Sequence, residues 1–253
     1  MAKKNELQVV KPMPDAGYEI MRSTSDEIDE FVAGLKGIKI SDLQKITTPP
    51  ASGQGTPRWV IDDQMVEEII GIPIFHAYHR IFWPKKLGED PLNAGGPPAC
   101  RSSDQDSGIG VRFDGDDVGP HLCGTCPHAQ FETRGRAQAC KERMRIVILR
   151  PESILPMILD LSVTSLKQTR NLFMRMTSQR NPYTKILGKP WMSEVGWKLQ
   201  TTQNKDAIRF NVALPRKVRD LTSEELSTVA IMVEKYMPIF RSAKVEEMTA
   251  SSE

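Results

Sequence analysis

All four cysteines of this 253-residue chain lie between positions 100 and 140. That clustering constrains the fold more than any other feature. Cys123 and Cys126 enclose Gly124 and Thr125, a spacing that lets two thiolates face one point from a tight turn. Gly124 offers that turn freedom in φ. Cys100 upstream and Cys140 downstream tie two further segments to the same knuckle. The pattern predicts a closed four-thiolate site, with one structural zinc ion on Cys100, Cys123, Cys126 and Cys140. Two disulfides are the other use of four cysteines. The N-terminus, Met1-Ala-Lys-Lys-Asn, has no apolar stretch behind it, which points to a cytoplasmic chain with reduced thiols. Cys126-Pro127 keeps an iron–sulfur cluster open as the alternative cofactor, because proline also follows cluster ligands. His121 and His128 flank the knuckle and could replace one cysteine, Cys100 first because it is most distant.

Hydrophobic residues make up 39% of the chain and charged residues 26%, the balance of a folded globular protein. No apolar run reaches the length of a membrane span. The net charge of +2 hides an uneven distribution. Residues 61–131 carry five basic and eleven acidic side chains, and residues 132–190 carry twelve and four. The basic block starts at Arg134 and Arg136, continues through Lys141, Arg143 and Arg145, and predicts an anionic partner.

Residues 1–57 read as an N-terminal appendage and linker. Within them Thr24-Ser-Asp-Glu27 is a capping box, opening a short helix to Leu35 with Gly37 at its end. Ile69 to Trp83 is one long apolar and aromatic strand, with Pro73 pointing to an edge position or a bulge. By alternation Ile74, His76, Tyr78, Arg80 and Phe82 share one face, and Phe75, Ala77, His79, Ile81 and Trp83 the other. His76 and His79 therefore make a poor metal pair. The cysteine insert spans 98–141. Its aspartates, Asp104, Asp106, Asp114, Asp116 and Asp117, lack the other positions of a calcium loop and read as solvated turns. Strands follow at 144–149 and 156–161, then a helix from Thr164 to about Ser178 with Leu166, Thr169, Leu172, Phe173 and Met176 inward. Residues 195–200 and 208–214 alternate as a hairpin. A second capping box, Thr222-Ser-Glu-Glu225, starts a helix to about Arg241, and the tail from Val245 holds three glutamates and no base.

The order is therefore strand, insert, strand, strand, helix, strand, strand, helix. It predicts an α+β protein with a mainly β core: a five-stranded OB-like barrel over 58–215, an inserted zinc ribbon, the N-terminal appendage, and a C-terminal helix and acidic tail over 216–253. A metal ribbon between the first two strands resembles the zinc-ribbon OB domain of the large subunit of replication protein A. More loosely, it is similar to the zinc-bearing OB domain of the T-even phage helix-destabilising protein. Over about residues 39 to 240 the chain also resembles an uncharacterised family of phage and mobile-element proteins. The matching stretches are I-K-I-S-D-L-Q-K-I-T-T-P, R-I-F-W at Arg80–Trp83, P-P-A-C-R-S-S-D around Cys100, C-G-T-C-P-H-A-Q-F at Cys123–Phe131, A-C-K-E-R-M-R at Ala139–Arg145 and V-T-S-L-K at Val163–Lys167. That resemblance implies a bacterial host cell. The OB-like order implies single-stranded DNA binding in replication or recombination.

Binding single strands without sequence preference needs cations that track phosphates and aromatic faces that stack bases. The candidate cations are Arg134, Arg136, Lys141, Arg143, Arg145, Lys167, Arg170, Lys198 and Arg209. The candidate stacking residues are Tyr78, Phe82, Trp83 and Trp197. Two other classes stay open. One is a protein-binding replication or recombination accessory module, docking partners through its N-terminal segment or C-terminal tail. The other is an iron–sulfur DNA-processing enzyme. Against the enzyme, Gly188-Lys189 stands without a phosphate loop, and neither a zinc-protease motif nor a nucleophile–base pair is legible.

Overall fold

The computed structural model describes residues 17–18, 23–34, 43–49, 51, 56–61, 64–83, 98–111, 118–131, 138–151, 153–204 and 209–249. Its elements run α1 (Ser25–Gly34), β1 (Lys45–Thr47), β2 (Trp59–Ile61), β3 (Gln64–Val66) and β4 (Glu68–Phe82). The insert adds β5 (Cys100–Ser102), β6 (Ser107–Val111) and β7 (Val118–Leu122). Then come β8 (Cys140–Arg150), β9 (Ser153–Leu161), α2 (Val163–Ser178), β10 (Ser193–Gln203), β11 (Arg209–Asp220) and α3 (Ser223–Thr249). The fold is α+β and mostly strand, as the periodicity predicts. Gly37, Asp114, Asp116, Asp117, Arg134 and Arg136 lie outside the described residues. No helix among the described residues is long and apolar enough to cross a membrane.

The chain divides into two units, residues 1–76 with 146–237, and residues 77–145 with 238–253. In the first, β4 pairs with β10 (Gly71 opposite Val195, Glu68 opposite Lys198), and β10 pairs along its length with β11. β8 lies beside β4, and β9 beside β8. The helix α2 buries the five residues its spacing predicts, Leu166, Thr169, Leu172, Phe173 and Met176. Ser165 Oγ, also buried, accepts the Ala213 N–H at 2.9 Å and so fixes α2 to β11. Trp59, Ile69, Ile148, Leu159 and Trp197 fill the centre, each at most 1% exposed.

The sheet is mixed and open, which corrects the closed barrel expected from strand order. The outer edge of β9 is taken by β1, in parallel, with Lys45 opposite Ile158 and Thr47 opposite Asp160. Among the described residues β11 pairs with β10 alone. A strand whose two edges are both occupied cannot close a ring with β11. The segment read as an appendage supplies that edge: Ile46 is buried, Lys45 pairs with Asp160 at 3.1 Å, and Asn211 donates to the Pro49 carbonyl at 3.0 Å.

Both capping boxes form. Thr24 N–H donates to Glu27 at 2.7 Å, and Thr222 N–H to Glu225 at 2.8 Å, which satisfies donors a helix start otherwise leaves open. Arg219 bridges Glu194 (2.9 Å) and Glu225 (2.7 Å), tying the start of α3 to the β10–β11 hairpin.

The second unit is a small antiparallel sheet. The end of β4 pairs with β5 (Arg80 opposite Ser102, Phe82 opposite Cys100). β5 pairs with β6 (Cys100 opposite Gly110), and β6 with β7 (Gly108 opposite His121). The start of β8 flanks β4 on its other side, where Cys140 packs with Phe82.

Candidate functional site

Strand alternation gives the small sheet two chemically different faces. Residues directly opposite in adjacent strands point the same way. Phe82, Cys100 and Gly110 therefore share a face, with Arg80, Gly108 and His121 at the neighbouring positions. All four cysteines line one cavity on that side, together with Arg80, Phe82, His121 and His128.

The knuckle is built by backbone hydrogen bonds. Cys123 N–H donates to the Asp106 carbonyl at 2.8 Å, Cys126 N–H to the Cys123 carbonyl at 3.3 Å, and Ala129 N–H to the Cys126 carbonyl at 3.0 Å. Asp104 Oδ1 accepts the backbone N–H groups of Asp106 (2.9 Å) and Ser107 (3.0 Å), so the aspartate loop is a turn, as its composition predicts. Gly124 is not the glycine that needs its freedom. Gly110 is, at φ +139°, and a Cβ there would collide with the Ala99 carbonyl and Cys100 Cα. Gly108 makes room for sulfur: a Cβ on it would stand 3.0 Å from Cys100 Sγ and 3.7 Å from Cys123 Sγ.

None of the four cysteines forms a disulfide. Their thiols share a cavity of about 20 Å³, the space of one or two water-sized bodies. That admits a single ion. Among the described residues, no three His, Cys, Asp or Glu side chains are already drawn to metal-ligand geometry. What the cysteines share is the cavity, the donor chemistry and the glycine cradle, and on those grounds the residues fit a tetrahedral ion. Both flanking histidines also line that cavity. His121 Nε2 is 3.1 Å from the Gly110 carbonyl, and His128 stacks on Phe82 with ring centroids 4.2 Å apart.

The electrostatics of the cavity oppose bare thiolates. Burial pushes Cys100 up to about 11, with Cys123 and Cys126 adding to it. Burial pushes Cys140 up to about 12, against a downward pull from Arg80, with the other three cysteines adding to the rise. Cys123 is raised too, first by burial. The folded metal-free chain thus holds these protons more tightly than the ordinary thiol value of 9.0 would. The unfolded chain releases them first as pH rises, so stability falls. We predict that the metal-free thermal midpoint holds below about pH 9 and drops through about 11 to 12, and that a bound metal abolishes the drop. Melting curves across an alkaline series, with and without chelator, check this. A midpoint that does not fall in the metal-free chain contradicts it.

The other face of the same sheet carries cations. Arg101 follows Cys100 and lies opposite Ile81, so it points away from the thiols, and it is exposed. Because Cys140 faces the cavity, Lys141, Arg143 and Arg145 of β8 alternate to that other face, where they are half-buried. Trp83, one residue past β4, continues the side of Ile81 and is 36% exposed. Arg101 is a residue the sequence reading missed, although alternation from Cys100 could have found it.

Of the remaining candidates, Trp197, Lys167, Arg170, Lys198 and Arg209 belong to the first unit, and Tyr78 and Phe82 to the second. Trp197 has 0% exposure, and its carbonyl accepts the Trp59 indole N–H at 2.8 Å, so it is core and offers no face to a base. Phe82, at 4%, is likewise committed to the cysteine cavity. Tyr78 is half-buried on the thiol side of β4. Lys167 is exposed and Arg170 half-buried, both on α2 of the first unit. Arg209, exposed, begins β11. Lys198 is exposed but held 3.6 Å from Glu68, which also takes Arg216 at 2.6 Å.

No family model, curated protein or solved structure matches this chain.

Proposed function

We propose that this chain is a single-stranded DNA-binding protein without sequence preference, a binding protein and not an enzyme, serving phage or mobile-element replication or recombination. A structural zinc ion on Cys100, Cys123, Cys126 and Cys140 holds the small sheet together from one side. The bases Arg101, Lys141, Arg143 and Arg145 and the ring of Trp83 meet the strand on the other. The observation that carries this is the division of the sheet: sulfur on one face, four cations and an aromatic on the opposite one. Cations along strands track a phosphate chain, and an exposed indole stacks on any base. The pairings of β4 with β8 and β10, of β8 with β9 and of β10 with β11 support kinship with OB-like binders, with α2 between the third and fourth of those strands.

The test is a titration of a fluorescent oligo-dT and a duplex of equal length at two salt concentrations. The expected result is tighter binding of oligo-dT that weakens with salt, by a slope of about 0.7 per phosphate contact. Salt-independent or absent binding overturns the proposal. It would favour an accessory module that docks a protein partner, for which Leu122 (66% exposed) and Phe131 (72%), either side of the knuckle, are the contacts to examine. Preference for duplex overturns the single-strand assignment.

A further inference from the structure

One cation belongs to the thiol face. Arg80 lies opposite Ser102, beside the pair formed by Phe82 and Cys100. Its Nε and Nη1 are shut off from solvent and have no hydrogen-bond partner among the described residues. The guanidinium lines the cysteine cavity with all four thiols and stands close enough to favour the charged forms of Cys123 and Cys140. A guanidinium cannot shed its proton, and burying its N–H groups unpaired is costly. Neutral thiols are weak acceptors and do not offset that cost. Four thiolates around a divalent ion form a doubly negative complex whose sulfurs keep lone pairs for N–H donors.

We propose that Arg80 is the outer-sphere partner of the metal centre, donating N–H groups from Nε and Nη1 to thiolate sulfur and supplying the countercharge the complex needs. This rests on the metal centre proposed above and adds to it a selection of ligand set. A site with His121 or His128 in place of one cysteine carries one negative charge less and gives Arg80 a poorer partner. Arg80 therefore favours ligation by all four cysteines. It is a positioning residue: it acts through the sulfurs and touches the ion nowhere.

The test uses the full chain loaded with zinc or with cobalt(II), as wild type, R80M and R80K. Zinc release to a chromogenic chelator is timed, and the sulfur-to-cobalt charge-transfer band is recorded. R80M is expected to release zinc roughly 10–100-fold faster and to shift the band. R80K keeps the charge but lacks the planar fork, and is expected to fall between the two. Wild-type release and an unshifted band in R80M overturn the role of Arg80. Should R80M not fold, R80K decides: faster release than wild type supports the role, and an unchanged rate and band overturn it. A wild-type chain that takes up neither metal overturns the metal centre itself, which is a different failure.

Discussion

Cys123→Ser will lose the metal and unfold the insert. The reason lies in how little else holds that unit together. Its strands β5, β6 and β7 are three to five residues long. Among its described residues one buried apolar cluster is Phe82, Ala139 and Cys140, with Ala99 and Cys100 partly buried against them. A cluster of that size does not offset the ordering of so much chain, and short hairpins are marginal alone. The proposed four-thiolate zinc site would supply the missing term, since structural zinc contributes on the order of 10–16 kcal/mol to folding in small zinc domains. Serine removes one ligand and leaves the other three cysteines as an incomplete set. The expected result is a fall from about one metal ion per chain to almost none, with amide exchange protection lost across residues 98–111 and 118–131. The described residues of the first unit have their own core around Trp59, Trp197 and Ile148 and are expected to keep their protection. Unchanged metal content in Cys123→Ser contradicts the centre.

The second large effect belongs to the opposite face. Trp83→Ala is expected to weaken oligo-dT binding by about 1–3 kcal/mol, roughly fivefold to a hundredfold or more. Arg101→Gln removes a cation while leaving all four cysteines in place, and is expected to lower the salt slope by about 0.7 while metal content stays at the wild-type level. For Lys198→Gln, which lies in the first unit 3.6 Å from Glu68, little change is expected. Fluorescence titrations at several salt concentrations separate these outcomes. Equal affinity and slope in wild type, Trp83→Ala and Arg101→Gln would remove this face from the account.

The local half of the fold was legible because its causes are local. Thr24 with Glu27, and Thr222 with Glu225, cap helices through bonds that span three residues. The apolar face of α2 and the long run of β4 follow from period alone. Illegible parts depend on distant partners. Nothing in Lys45-Ile46-Thr47, beside Pro49 and Pro50, announces a strand. It becomes one because β9, more than a hundred positions on, offers it an edge. That same pairing opens the sheet expected to close. The aromatics show the limit from another side: Trp83 and Trp197 are one residue type on alternating strands, yet one is 36% exposed and the other 0%. For the site, spacing placed four cysteines at one cavity, and the charge block pointed to β8. It did not reveal Arg80, whose significance depends on which face of β4 the thiols occupy.

Everything proposed for the two faces hangs on the ion that joins them. The most direct measurement determines bound metal by elemental analysis and oligo-dT affinity on the same sample, before chelation, after chelation, and after zinc is restored. The account predicts about one zinc per chain, a loss of affinity of roughly tenfold or more on removal, and recovery on restoration. A chain that binds oligo-dT equally well with and without metal would contradict it.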